Sequence, residues 1–339
     1  MSDTEHRARR HLAIGLCVLT LLLALAGLAA GSEGWSISQT LALLNDPDGS
    51  LIVGQIRAPR TLGAWLTGAL LGLAGAVAQG LFRNPLADPY LLGSASGAVL
   101  GVVLVLAATM LAGHGISLAT ADTIARIGLV GAAFAGALLG VTLTLGLARG
   151  AHETTRLLLA GVVVGVLLGA VIDLVTNVAP DALRGKQAFL LGSTGFLGWG
   201  SCGLMAAGVA IALPLAWRLS RMLDALTLGE ESAMSLGLAL PRLRMAMVAA
   251  LALATGMAVS QAGLIAFVGL VSPHLVRRFA PAAHGFTLVA SAATGGVLLL
   301  AADVLARSLM APQEVPVGVL TAVLGGGYLL WLLHRRKIS

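Results

Sequence analysis

Ten apolar runs, 12–31, 61–82, 91–112, 124–147, 157–177, 199–217, 243–262, 264–280, 287–306 and 316–333, make up most of this chain. Most approach the roughly 20 helical residues that cross a hydrocarbon core about 30 Å thick. Inside a bilayer no water takes up an unpaired N–H or C=O, so a spanning run must close its own hydrogen bonds as a helix unless it joins a sealed barrel. Unbroken apolar runs of this length read as helices. Only 11% of residues are charged and 58% are hydrophobic, against about 25% charged in an ordinary soluble domain. The expectation is one all-α integral membrane domain, residues 1–339, with ten transmembrane helices. The run 264–280 is the shortest and contains Pro273; nine spans is the fallback, with the termini on opposite sides.

An even count puts both termini on the same side, and the basic residues say which. With both ends inside, fifteen of the 21 Lys and Arg fall in inner segments and six in outer ones, as cytoplasmic loops require. Residues 1–11 are then a cytoplasmic tail and 218–242 the largest cytoplasmic interruption, while 32–60 and 178–198 lie outside. These charges flank spans and form no single basic face, which argues against nucleic-acid binding. Arg7, Arg9 and Arg10 before an apolar stretch ending at Ala29, Ala30 and Gly31 resemble a secretory signal. The apolar core is longer than the 7–15 residues of a cleaved one and reads as a retained first span. Cys17 and Cys202 fall inside apolar runs and read as small buried hydrophobes.

Glycine recurs every four residues at Gly93, Gly97 and Gly101, at Gly161, Gly165 and Gly169, and at Gly68 and Gly72. Such stripes allow helix backbones to approach closely in lipid. Two acidic residues fall within spans, Asp173 and Asp303. Asp303 precedes Arg307 by four residues, the spacing of a local ion pair on one helical face; a role in substrate passage is the other reading. No GxxxxGK[ST] phosphate cradle occurs, Gly185-Lys186 being a chance dipeptide. His274 beside Pro273 has no second His at helical spacing and reads as a packing residue, so no metal ligands are expected.

Three polar segments stand out. Arg57-Ala-Pro-Arg60 leads to Gln79 and then Arg83-Asn-Pro-Leu-Ala-Asp-Pro-Tyr-Leu-Leu-Gly93. The second is Leu228-Gly-Glu-Glu-Ser-Ala-Met-Ser-Leu-Gly237. The third runs from Gly269-Leu-Val-Ser-Pro-His274 through Arg277 to Asp303 and Glu314-Val-Pro-Val-Gly318. In this order they resemble the FecCD-like permease subunit of type II ATP-binding-cassette importers for iron-siderophores, haem and cobalamin, over about five-sixths of the chain.

The resemblance implies a ten-span permease in the cell inner membrane, forming a homodimer around a central path. Its partners would be two cytoplasmic ATP-binding subunits, which hold the ATP and Mg, and a periplasmic substrate-binding protein; the permease itself would be no enzyme and bind no cofactor. Leu228, Gly229, Glu230, Glu231, Ala233, Leu236 and Gly237 match the coupling segment that docks on the ATPase, and Thr227 with Glu230 fits a capping box for its short helix. Arg57, Arg60 and Arg307 match outer-face arginines that meet carboxylates of the binding protein, with interfacial snorkelling as the other reading. Asn84, Leu86, Thr154 and Thr155 match cytoplasmic gate positions, where Pro85 and Pro89 disfavour a continuous helix. Gly285 stands where many relatives carry Arg after a His. By family breadth the cargo is an iron-siderophore. The rival class is an ion-gradient-driven transporter, for which paired broken helices and midplane ionisable groups are expected.

Overall fold

The structure, a computed structural model, describes residues 3–31, 34–35, 46–111, 123–149 and 154–336; Lys337 and the side chains of Arg126, Arg335 and Arg336 lie outside the described residues. Each apolar run holds a helix. The order is α1 (Asp3–Ala29), α2 (Pro47–Ile52), α3 (Ala58–Phe82), α4 (Ser94–Leu111), α5 (Thr123–Leu147), α6 (Thr154–Val178), α7 (Ala182–Leu191), α8 (Trp199–Arg218), α9 (Ser220–Leu226), α10 (Glu230–Ser235), α11 (Leu240–Ala262), α12 (Val268–Phe279), α13 (His284–Ser308) and α14 (Val317–Arg336). A π-helical turn, Val53–Arg57, joins α2 to α3.

Among the described residues eight helices are long and apolar enough to cross a bilayer, and α14 carries a shorter apolar stretch. The remaining run is different. Helix α12 has 12 residues and rises only about 18 Å, so the eighth apolar run is helical over part of its length and starts from a non-helical segment, 263–267. The stretch 178–198 also departs from the outer loop expected. Within it α7 folds back for 10 residues, about 15 Å of rise. Its sequence, short and broken by Arg184, Gly185, Lys186 and Gln187, carries no span-length hydropathy to announce it.

Helix α3 is the axis of the bundle, buried along almost its whole length. It packs against α13, α11, α12 and α8. Apolar side chains gain little from one another in lipid, so the helices must meet closely enough for dispersion between backbones to hold them. A Cβ on Gly68 would overlap the carbonyl of Gly295, and one on Gly72 that of Ser291. A Cβ on Gly75 would overlap the carbonyl of Gly269 in α12. Helices α4 and α5 meet the same way, Gly97 against Gly136 and Gly101 against Ala132. The third stripe is only half used. Gly161 lies on the carbonyl of Leu91, Gly165 has ordinary contact with Ser96, and Gly169 meets nothing within 4 Å. Around it α6 turns Leu159, Val162 and Val166 outward.

Helix α1 lies at the periphery, most of its side chains exposed. It is fastened at few points: the Trp65 indole donates to Thr20 Oγ1 at 3.3 Å, and a Cβ on Gly27 would crowd Thr61. At the inner end Arg277 of α12 donates to the Gln79 side-chain oxygen, and Gln79 donates on to the carbonyl of Leu270 at 3.1 Å. The half-helix is thereby pinned to the axis.

Gly68→Leu is expected to separate α3 from α13, at the 1–3 kcal/mol or more that overpacking costs, whereas Gly169→Leu faces open space. Unfolding of the two variants in mild detergent should show a clearly lowered midpoint for the first only.

Candidate functional site

On the inner face α3 stops at Phe82 because Arg83 turns left-handed, φ 49°, and Pro85 and Pro89 follow. The turn is held by its own side chains. Asn84 Oδ1 accepts from the Leu86 amide at 2.9 Å, and Asp88 Oδ1 from the Tyr90 amide at 2.8 Å. Burial pushes the Asp88 carboxyl above its ordinary range, against that stabilising amide. Leu86 stands 59% exposed at the tip. Thr154 and Thr155 open α6 nearby, half-buried and exposed respectively.

The acidic segment forms α10, but not by the capping box. Thr227 Oγ1 donates back to the carbonyl of Asp224 at 2.6 Å and closes α9. The N-cap of α10 is Gly229, whose φ of 101° turns the chain without a side-chain cap. Leu228, Glu231, Met234, Leu236 and Gly237 face outward, and Ala233 is fully buried against the bundle. Glu230 turns inward, to Arg244 of α11 at 2.5 Å. Next to this segment Asp224 Oδ1 accepts from the His284 amide at 2.9 Å and pairs with its Nδ1 at 2.7 Å, so it anchors the start of α13. Gly285 packs on Ser220: an added Cβ would sit 3.3 Å from its Oγ.

At the outer end three arginines converge. Asp303, fully buried in α13, receives Arg60 Nε at 3.1 Å, Arg307 Nη2 at 2.5 Å and Thr194 Oγ1 at 2.5 Å. Arg60 continues to Glu314 at 2.8 Å. Arg307 donates to the carbonyl of Gly27 at 2.9 Å and Arg57 to that of Leu28 at 3.0 Å. The expectation of exposed cations is corrected for two of the three. Arg307 is 4% and Arg60 11% exposed, because both guanidinium groups are drawn inward by Asp303. The local pair Asp303–Arg307 forms as its spacing suggests. Asp173 is 74% exposed and pairs with Lys186 of α7 at 2.6 Å.

Between these ends lies a cavity of about 400 Å³, lined by Tyr90, Leu190, Leu191, Leu264, Ala266 and Val319 among others. It sits where α7 and the segment before α12 end at membrane depth. There the exposed backbone is paired: Leu264 N donates to Phe189 O at 3.0 Å, Ser193 N to Ala262 O at 2.8 Å, and Tyr90 Oη to Ile265 O at 3.1 Å. Phe267 takes a left-handed conformation, φ 68°, and its ring packs on Gly325. Irregular backbone at this depth is sustained only where protein or a cavity covers it. His274 packs edge-on to Tyr328, ring centroids 5.8 Å apart. Among the described residues no cluster of His, Cys, Asp or Glu could hold a metal ion.

The FecCD transport family matches residues 18–335. This chain belongs to that family. It is 39% identical over 323 residues to the vitamin B12 import system permease protein BtuC of Shigella boydii, covering 95% of this chain and 94% of the relative. It is 37% identical over 337 residues to the hemin transport system permease protein HmuU of Yersinia pestis, covering 98% of each. A solved metal-chelate type ABC transporter in an inward-facing conformation superposes with a TM-score of 0.83 at 27% identity, over 96% of this chain and 99% of that one. The chain is a multi-pass permease with the helical fold of an ABC transporter.

In this FecCD permease the least legible residues are Arg244, Thr194 and Tyr90. Arg244 lies 14 positions beyond Glu230 and Thr194 sits 109 before Asp303, separations that no helical spacing reveals. Arg244 reads from sequence as one more inner-face charge, yet its side chain is 2% exposed.

Asp303→Asn leaves Arg60 and Arg307 buried beside each other without their shared counter-charge. A loss of about 3–5 kcal/mol is expected, the usual penalty for breaking a buried pair, read as failure to purify monodisperse protein or a sharply lowered midpoint. Glu314 behaves differently. The hydrogen bond from Arg60 holds its carboxyl below the usual range despite partial burial, helped by the charges of Arg60 and Arg307. Since its folded value is depressed, its contribution is full above the ordinary carboxylate pKa of about 4.3 and is lost as pH falls through the lower folded value. Partial exposure keeps it to about 1 kcal/mol or less. The stability difference between the native protein and Glu314→Gln should be constant above about pH 5 and vanish in acid.

Proposed function

We propose that this chain is the membrane path of an ATP-driven importer that carries a metal chelate from the periplasm to the cytoplasm. The observation that carries the reading is α10. A six-residue helix set off by Gly229 and Gly237 presents Leu228, Glu231, Met234 and Leu236 on the inner face, and its root is held by Ala233 and Glu230. A chain without a phosphate cradle of its own needs such a surface to receive an ATPase subunit. Two ATP-binding subunits, with their ATP and Mg, would dock there. Asn84, Leu86, Thr154 and Thr155 would then form the cytoplasmic gate.

The relatives named for vitamin B12 and hemin weight the cargo toward metal-bearing macrocycles over the iron-siderophore expected from family breadth. The cavity suits such cargo by being apolar and by lying beside broken helices, and a second copy of the chain about a twofold axis would enclose it as a central path. On the outer face Arg57, with the Arg60–Glu314 pair at the surface, would meet the periplasmic binding protein. Both termini would lie in the cytoplasm of a cell whose inner membrane holds the complex.

The ion-gradient reading predicts broken helices as well, so α7 and α12 do not separate the two. The lining of the cavity favours the importer, since among the described residues Tyr90 is its one ionisable group and no carboxylate there stands ready to bind a coupling ion.

Permease reconstituted in vesicles with its ATPase partner and binding protein should accumulate cyanocobalamin, hemin or a ferric siderophore only when ATP is supplied. Uphill uptake by the permease alone under a proton gradient would overturn the reading. Leu236→Asp should abolish co-purification of the ATPase with little effect on the fold, because Leu236 is 64% exposed.

A further inference from the structure

Glu230 differs from the rest of the acidic segment in where it points. Its Oε1 lies 2.5 Å from Arg244 Nη2, 3.8 Å from Arg83 Nη2 and 3.5 Å from Thr154 Oγ1. One carboxylate oxygen therefore ties α10 to the root of α11, to the residue that ends α3, and to the residue that begins α6. Arg83 immediately precedes Asn84, and Thr154 adjoins Thr155. Both gate-bearing turns are thus within reach of the same oxygen. The anchor is Arg244, whose side chain is 2% exposed, and a buried guanidinium is stable only with a counter-charge. The outward face of α10 is made by Glu231, Ser232, Met234 and Leu236, all exposed.

We infer that Glu230 is not a docking contact for the ATPase but the strut that relays movement of α10 to the cytoplasmic gate. This rests on the reading of α10 as the ATPase-docking helix. When a partner pushes or pulls α10, its close ion pair with Arg244 would carry α10 and the start of α11 together. The two longer contacts, to Arg83 and Thr154, are those that a small displacement makes or breaks. Glu230 acts through other residues and is a positioning residue. It touches no cargo.

The test uses the complete complex of permease, ATPase and binding protein in nanodiscs and vesicles, with cyanocobalamin and hemin as probes. Glu230→Gln should still co-purify with the ATPase and hydrolyse ATP, while chelate taken up per ATP falls about tenfold, in the range of coupling free energies between linked sites. Glu231→Gln should do the reverse and weaken co-purification. Spin labels on Leu86→Cys and Thr155→Cys should change separation on ATP binding in the otherwise native complex and fail to do so with Glu230→Gln. The charge-reversed pair Glu230→Arg with Arg244→Glu should recover much of the lost coupling, and it decides the matter if Glu230→Gln does not fold. Loss of the ATPase from Glu230→Gln, unchanged uptake per ATP, or no recovery in the reversed pair would overturn the strut. A native complex that binds no ATPase would instead overturn the docking reading on which it rests.

Discussion

Everything in this bundle depends on how closely backbones approach, because its solvent is as apolar as its side chains. In water, burying the face of a leucine-rich helix is itself a driving force; in hydrocarbon it is nearly neutral, and what remains is contact between backbones and satisfaction of polar groups. The contact of α3 with α13 through Gly68, Gly72 and Gly295 sets the position of the central helix. From that position follow the places where Gln79 pins α12, where Arg83 turns out toward α10, and where Arg60 reaches Asp303. The glycines carry no chemistry, yet they fix the distances over which the charged groups operate.

Those charged groups follow one pattern at both ends. At the outer end Asp303 gathers side chains from α3, from the segment after α7 and from its own helix, while Arg307 reaches the backbone of α1. At the inner end Glu230 gathers α11, the end of α3 and the start of α6. The difference lies in burial. Asp303 is fully enclosed and Glu230 about one-third exposed, so the outer knot is a fixed joint, whereas the inner one has room to rearrange.

Sequence reading located what repeats locally and missed what does not. Ten apolar runs became helices because length and hydropathy are properties of a single segment. The Asp303–Arg307 pair followed from four-residue spacing, and the Gly97 stripe from its own period. Gly165 and Gly169 have the same period as the stripe that packs, yet no neighbouring backbone lies against them, since a period says which residues share a side and not what that side meets. Helix α7 escaped notice because a fold-back of ten residues needs no spanning hydropathy. The capping box failed at Thr227 because Gly229 supplies the turn through a positive φ, which leaves the Thr hydroxyl to close α9. Arg307 was misjudged as exposed because its position at a span end is a local fact, while the buried carboxylate that also holds Arg60 is a tertiary one.

The same distinction bears on how a solute crosses. A path through lipid must expose something other than the outer surface of a helix, and the end of α7 and the non-helical start of α12 offer such backbone beside the cavity. The stopped backbone is costly unless paired, and the pairs Phe189–Leu264, Ala262–Ser193 and Ile265–Tyr90 absorb its hydrogen-bonding capacity. What is left facing the cavity is apolar, without a charged group to hold a cargo tightly. On the proposed reading a surface of this kind would bind a bulky chelate weakly, and weak binding is what a conduit requires, since an intermediate held firmly at midpoint would have to be pulled out again. In the proposed importer, selectivity would then come from a partner that meets the solute first, and direction from whatever moves α10.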